Sequence, residues 1–326
     1  TDYGDLDNQG FYGLNSGGMV SSTTRGLYAG GSGNSAPVAV NTITFVLFST
    51  SSNSTDFGDL THTNAYFNTG NSNGTRGIFM GGSDIDSPYP ATDQIDFVTI
   101  ASEGNATDFG SLNTSRYNAM GASNSTRGLH IGGYVGPAFS PEFVNTIDYI
   151  TFSEKSAAVD FGDMTNANER CGSCASATRA ISCGGAQGPN AHKQEIRYVT
   201  ISTLGNTADF GTLLEPRTFH GAGSNAVRGI ICGDAYPGTN VVTYITIATL
   251  GNDIDFGDLT DERNGLGVAA SKTRIIAFGG RISPTPAGGK TIDYAQIMTT
   301  GNFIDFGDLT GEYAGQGGCS NGHGGL

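Results

Sequence analysis

Apolar residues in this chain come in runs of five to eight, either alternating with polar residues or unbroken, and Gly, Asn, Ser or Pro closes each run. Such runs predict β-strands, and no window holds the 3.6-residue period that predicts a helix. Four kinds of run recur in a fixed order. The first resembles Tyr117-Asn-Ala-Met-Gly-Ala-Ser123. The second carries an arginine, as in Thr24-Arg-Gly-Leu-Tyr-Ala-Gly-Gly31, with copies at Arg76, Arg127, Arg179, Arg228 and Arg274. The third is β-branched and aromatic, as in Ile147-Asp-Tyr-Ile-Thr-Phe152. The fourth is a phrase beginning at Asp2, Asp56, Asp108, Asp160, Asp209, Asp255 and Asp305, written in full as Asp56-Phe-Gly-Asp-Leu60.

The seven phrases start 54, 52, 52, 49, 46 and 50 residues apart, so the chain is an array of units of about 50 residues. Each unit can bury its apolar face only against its neighbours, which predicts one domain over residues 1–326. Four strands per unit without a helix describe a β-propeller blade; a β-solenoid, with shorter rungs, is the alternative. The full repeats run over 11–60, 61–112, 113–164, 165–213, 214–259 and 260–309. An extra fourth run (2–6) precedes them and an extra first run lies in 311–326, which predicts a closing half-blade shared by the two ends. The expected fold is therefore an all-β propeller of four-stranded blades, seven favoured over six, and the Gly-Gly that closes the second run, as at Gly30-Gly31, resembles the double glycine of kelch repeats.

Composition narrows the partners. With Lys+Arg 16, Asp+Glu 30 and a formal net charge of -14, the surface repels phosphate backbones, and no basic stripe offsets that, so nucleic-acid binding is disfavoured. No apolar run approaches the roughly 18 to 20 residues that span a bilayer. The chain starts on Thr1, which leaves room for a leader or a further domain. The 51 glycines sit at fixed places in the repeat and read as turn and close-packing positions. Five cysteines make no disulfide framework; Cys183 and Cys232 stand where other copies have Ala29, Met80, Ile131 and Phe278, and Cys174 and Cys319 stand where Ala122 does.

Several motifs invite a chemical reading. The paired acids of Asp-x-Gly-Asp suit a calcium ion, yet the second becomes Ser111 and Thr212 in two copies. The structural alternative is an Asp that caps backbone N–H groups, or pairs with the equally regular second-run arginine: Asp56, Asp108, Asp160, Asp209, Asp255 and Asp305 against Arg25, Arg76, Arg127, Arg179, Arg228 and Arg274. Cys171-Gly-Ser-Cys174 lacks a second Cys pair and a redox context. The five histidines are scattered over different repeat positions, and no catalytic constellation assembles from spacing. No metal or cofactor is expected. Variation concentrates between the second and third runs, where Tyr89, Tyr134, Phe139, Phe143, His192 and Tyr236 are candidate ligand-binding residues on one loop face.

The wording of the repeat, Thr-Arg-Gly-Leu-x-x-Gly-Gly, then Ile-Asp-Tyr-Ile-Thr-Ile, then Gly-Asn-x-x-Asp-Phe-Gly-Asp-Leu, resembles kelch-like repeats of virion structural proteins of tailed marine bacteriophages over essentially the whole chain. The resemblance implies a non-enzymatic tail fibre, appendage or decoration protein on the particle surface. Its implied partners are other virion proteins and host-surface glycans, with homo-oligomerisation open. A purely structural assembly module and a glycan-active enzyme are the alternatives. The architecture also resembles galactose oxidase propellers, whose copper ligands find no match here.

Overall fold

A computed structural model describes residues 18–31, 40–50, 52–63, 68–83, 90–136, 142–168, 171–187, 191–234, 238–282 and 288–313, the last four as backbone. Among these the regular structure is strand and no helix occurs. The fold is an all-β propeller of four-stranded antiparallel blades, and six blades are described. Blade 1 is Gly18–Ser21, Arg25–Ala29, Thr42–Leu47 and Thr55–Asp59. Blade 2 is Thr69–Ser72, Arg76–Met80, Gln94–Thr99 and Thr107–Ser111. Blade 3 is Met120–Ser123, Arg127–Ile131, Thr146–Thr151 and Val159–Asp163. Blade 4 is Gly172–Ala175, Arg179–Cys183, Lys193–Thr200 and Ala208–Arg217. Blade 5 is Gly221–Ser224, Arg228–Cys232, Thr239–Thr246 and Ile254–Asn264. Blade 6 is Gly267–Ala270, Arg274–Phe278, Gly289–Gln296 and Ile304–Tyr313.

The chain divides into two compact units, residues 1–167 and 168–326, with three blades in each. Six blades is the number that the sequence offers as its alternative. Of the expected closing half-blade, residues 2–6 and 314–326 lie outside the described residues, while 311–313 end the fourth strand of blade 6. The first strands are shorter than their runs suggest. In blade 3 the strand begins at Met120, because Asn118 takes a left-handed turn with φ 58°, a conformation that Asn tolerates better than most residues.

The Asp-Phe-Gly phrase is where blades join. In all six, the third and fourth strands lose register at the phrase, as where Ile43 faces Gly58 but Thr44 faces Asp56. Phe57 is thus the extra residue of a β-bulge, which breaks the two-residue alternation and re-aims its ring. The ring is buried: Phe57 and its copies Phe109, Phe161, Phe210 and Phe256 are 1–3% exposed, and Phe57, Phe109, Phe210 and Phe256 cluster with apolar residues of the next blade. Each packs edge-to-face on an aromatic of its own third strand, as Phe57 does on Phe45 with centroids 5.9 Å apart.

The neighbouring blade then completes the hydrogen bonding of that edge. Phe57 C=O accepts from Gly104 N–H and Asp59 C=O from Ala106 N–H, both at 2.7 Å, while Asp59 N–H donates to Asn105 Oδ1 at 3.1 Å. Residues 104–106 belong to the turn between the third and fourth strands of blade 2. The joint repeats where Gly301 and Phe303 of blade 6 donate to Phe256 and Asp258 of blade 5, each at 2.7 Å. The two bodies approach so closely that a Cβ on Gly257 would lie 2.5 Å from the Gly301 carbonyl. Apolar side chains fill the rest. Leu27, Ala29, Ile43 and Phe57 of blade 1 form one cluster with Phe79, Val98 and Ile100 of blade 2.

Candidate functional site

The regular Asp and Arg do not pair in the way that their shared regularity suggests. Asp56, Asp108, Asp160 and Asp305 each turn Oδ1 back to the N–H of the Gly two residues on, at 2.9–3.2 Å, which holds the bulge. Asp209 lies 3.2 Å from Arg197 on the adjoining strand, and Asp255 is exposed opposite Thr243. The arginines stack on the third-strand ring instead. Arg25, Arg76, Arg127, Arg179, Arg228 and Arg274 place their guanidinium 4.3–5.5 Å from the centroids of Phe45, Phe97, Tyr149, Tyr198, Tyr244 and Tyr294. Four of them also reach the following blade: Arg25 donates to Ile100 C=O, Arg76 to Phe152, Arg179 to Ile247 and Arg228 to Ile297. Arginine, ring and phenylalanine therefore form one stack per blade, and Asp stands apart because the bulge aims it at its own backbone.

Buried ion pairs do exist, between residues that the sequence reading passed over. Arg116 and Arg263 are fully buried, and their Nη2 atoms donate to Asp148 Oδ2 at 2.7 Å and Asp293 Oδ2 at 2.5 Å. Each carboxylate has a second partner, Asn113 Nδ2 for Asp148 and the Thr260 N–H and hydroxyl for Asp293. Arg116, Arg217 and Arg263 each stand four residues after the closing Leu of a phrase, a spacing that could have revealed them. Their own carbonyls accept from the N–H groups of Gly82, Gly185 and Asp234, just past the second strands of blades 2, 4 and 5. In blade 4 the same place holds Asn168, whose Nδ2 donates to Gly184 C=O at 2.7 Å, as Arg263 Nη1 does to Gly279 at 3.1 Å.

In blade 2 the third-strand carboxylate is Asp96, which accepts from the Thr61 N–H and hydroxyl and lies 3.3 Å from His62 Nδ1. Burial alone would raise its pKa, but the hydrogen bonds from His62 and Thr61 outweigh that and leave it below the ordinary value. Blade 5 has Thr243 in this place, and the carboxylate comes from the turn instead: Asp253 Oδ1 accepts from Leu214 N–H at 2.7 Å. Here burial prevails and the Asp253 pKa rises.

Two histidines share these interiors. His130 is fully buried beside Arg116, and burial, then the guanidinium charge, push its pKa well down. His220 accepts from Gly172 N–H through Nε2 at 3.0 Å; burial and Arg217 push its pKa to about 3, partly offset by a hydrogen bond to the Cys183 backbone. The folded state holds both neutral, whereas an unfolded histidine titrates near 6.5. Their contribution to stability is complete above that value and is lost as pH falls below it, down to about 3 for His220. At pH 4.5 the His220 share of that loss is about 3 kcal/mol. Urea titrations at pH 7.5 and 4.5 check this, and His220→Gln should narrow the difference between the two pH values by about that amount. An unchanged difference would refute it.

Cys174, Cys183 and Cys232 belong to the core, Cys171 is half-buried, and Cys319 lies outside the described residues. Cys171, Cys174, Cys183 and Cys232 are free thiols. A hydrogen bond with Cys174, followed by burial, pushes Cys183 well above its ordinary pKa, and burial pushes Cys232 up to about 12. Both are protonated at neutral pH and lack nucleophilic character.

The loop face is only partly described, since Tyr89, Phe139 and Tyr236 lie outside the described residues. Tyr134 is not an exposed ring. It is 7% exposed, stacks on Tyr117 with centroids 5.3 Å apart, and touches Phe143 at 5.0 Å. It anchors a small hairpin, Tyr134–Val135 with Glu142–Phe143, that projects from blade 3. Phe143 and His192 are half-buried, and His192 bridges to Ala186 across the blade 4 loop. In blade 6 the corresponding loop turns back, and Arg281–Ile282 adds a fifth strand beside Arg263 and Asn264 of blade 5.

No protein-family model matches the chain, and a search of curated proteins finds no match.

Proposed function

We propose that the chain is a non-enzymatic scaffold of a virus particle surface, a fibre, appendage or decoration component, whose loops between the second and third strands contact a host-surface glycan or another particle protein. The observation that carries this reading is the division of labour within each blade. Bulge and ring stack recur in all six described blades, whereas the connecting loops differ in length, content and course. Displaced pKa values often mark catalytic sites. Among the described residues, Asp96, Arg116, His130, Cys183, His220, Cys232 and Asp253 carry them, and all seven are buried. That distribution favours a structural use of charge over a glycan-active site.

The test is binding of the purified chain to a glycan array and to intact host-range cells. Shortening the blade 3 hairpin by replacing residues 137–141 with Asn-Gly, which leaves a loop long enough for the Val135–Glu142 pair, should reduce binding at least about tenfold while leaving the melting temperature within a few degrees, since the Tyr117–Tyr134 stack stays. Binding unaltered by this replacement and by Ala at His192, or no binding at all, would refute the receptor reading.

A further inference from the structure

The three buried arginines are held alike but are not neutralised alike. Nη1 of Arg116, Arg217 and Arg263 donates to a third-strand carbonyl, that of Thr146 at 3.3 Å, Val241 at 3.1 Å and Thr291 at 2.8 Å. Two residues on, at the position paired with the phrase Asp, stand Asp148, Thr243 and Asp293 respectively. The two aspartates accept from Nη2 of their arginines. Thr243 carries no charge, and Arg217 Nη2 makes no hydrogen bond. Nε is unpartnered in all three arginines, so the difference lies at Nη2.

The acid that blade 5 supplies from its turn does not fill the same role. Asp253 engages Leu214 N–H through Oδ1, while its Oδ2 makes no hydrogen bond. Burial raises its pKa against the pull of Thr243, the Leu214 N–H and Arg217. Thr243 is thus near enough to favour the charged carboxylate, yet its hydroxyl is in no hydrogen bond of ordinary geometry. Arg217 and Thr243 are 0% exposed and Asp253 3%, so water cannot serve these atoms from the surface. A guanidinium buried without a counter-charge in contact is costly.

We infer that Arg217, Thr243 and Asp253 form a buried chloride site, the anion accepting from Arg217 Nη2 and the Thr243 hydroxyl where blades 3 and 6 place an aspartate oxygen. Chloride would then tie the end of the fourth strand of blade 4 to the third strand of blade 5. An ionised Asp253 repels the anion, so binding is coupled to uptake of a proton by that carboxylate. This inference is independent of the receptor reading.

Urea unfolding at fixed ionic strength, with sodium chloride exchanged for sodium gluconate, tests it. Chloride at about 0.5 M should favour the folded state at least about fivefold over gluconate at pH 5.5, and less at pH 7.5. Around the site His220 stays neutral and Cys183 and Cys232 stay protonated at both pH values, so Asp253 carries the difference. Asp253→Asn should accordingly raise the chloride effect at pH 7.5 to its pH 5.5 size. Thr243→Asp gives Arg217 a carboxylate, as in blades 3 and 6, and should abolish the effect. Thr243→Val removes one donor and should weaken chloride binding at least about threefold, which keeps the test open if a buried Asp prevents folding. Crystals soaked in bromide should show an anomalous peak beside Arg217 Nη2. Equal stability in chloride and gluconate, a chloride effect unchanged in the folded Thr243 variants or reduced by Asp253→Asn, or a water in place of bromide would each overturn the inference.

Discussion

Asp293→Asn is expected to lower the unfolding free energy by about 3 to 5 kcal/mol, because it leaves the Arg263 guanidinium charged in an interior that has lost its counter-charge. Arg263 is 0% exposed and also donates to Gly279 and Thr291 carbonyls, so it cannot swing to water without breaking both. Asn keeps the shape and can still accept from Thr260, which confines the change to charge. Replacing the pair together, with Arg263→Met and Asp293→Leu, should recover most of the loss, since an apolar pair requires no desolvation of ions. Urea denaturation of the two variants decides the matter. If the single change costs under about 1 kcal/mol, the pair is solvated and the interior reading fails.

The second large effect concerns the blade joint. Gly257→Ala should destabilise by about 4 kcal/mol, from two sources of similar size: a non-Gly residue at φ 142°, and a Cβ driven into the Gly301 backbone. Gly307→Ala shares the first source at φ 139° but not the second, as nothing described lies within 4 Å of its Cβ. It should therefore cost only about 1 to 3 kcal/mol. The difference between the two variants isolates the joint from backbone strain. Equal losses would mean that the neighbouring turn yields and that the joint is loose.

Strand identity, blade composition and repeat period were legible because turn residues and β-branched runs recur at fixed spacing. The direction of the Asp-Phe-Gly ring was not. Alternation predicts facing only while the register holds, and the bulge opposite Thr44 places two residues where one is expected. Regularity pointed to both Asp capping and Asp–Arg pairing, and the capping is what the bulges show. Asp56 and Arg25 recur together because each serves the blade joint separately, one through Gly58 N–H and the other through Phe45 and Ile100. The buried pairs escaped notice for the opposite reason. Arg116, Arg217 and Arg263 appear in only some repeats, and blade 5 replaces the third-strand Asp with Thr243 and supplies Asp253 from a turn. Recurrence along a chain shows which positions matter, whereas partnership depends on which strands the fold sets side by side. Of the loop candidates, Tyr134 reads as exposed because turn residues flank it, and only its contact with Tyr117, 17 residues earlier, shows it to be an anchor.

The joint between blades also shapes how such a chain can lengthen. At the described seams of blades 1 to 3 and of blades 4 to 6 a bulged edge meets a matching turn, so duplication or loss of one whole repeat there creates no mismatched seam. A unit boundary cut elsewhere would separate the two halves and leave a Phe face bare. Copy number can then drift in steps of about 50 residues while each surviving seam stays intact. A loop that carries no part of the seam is free to diversify at any unit.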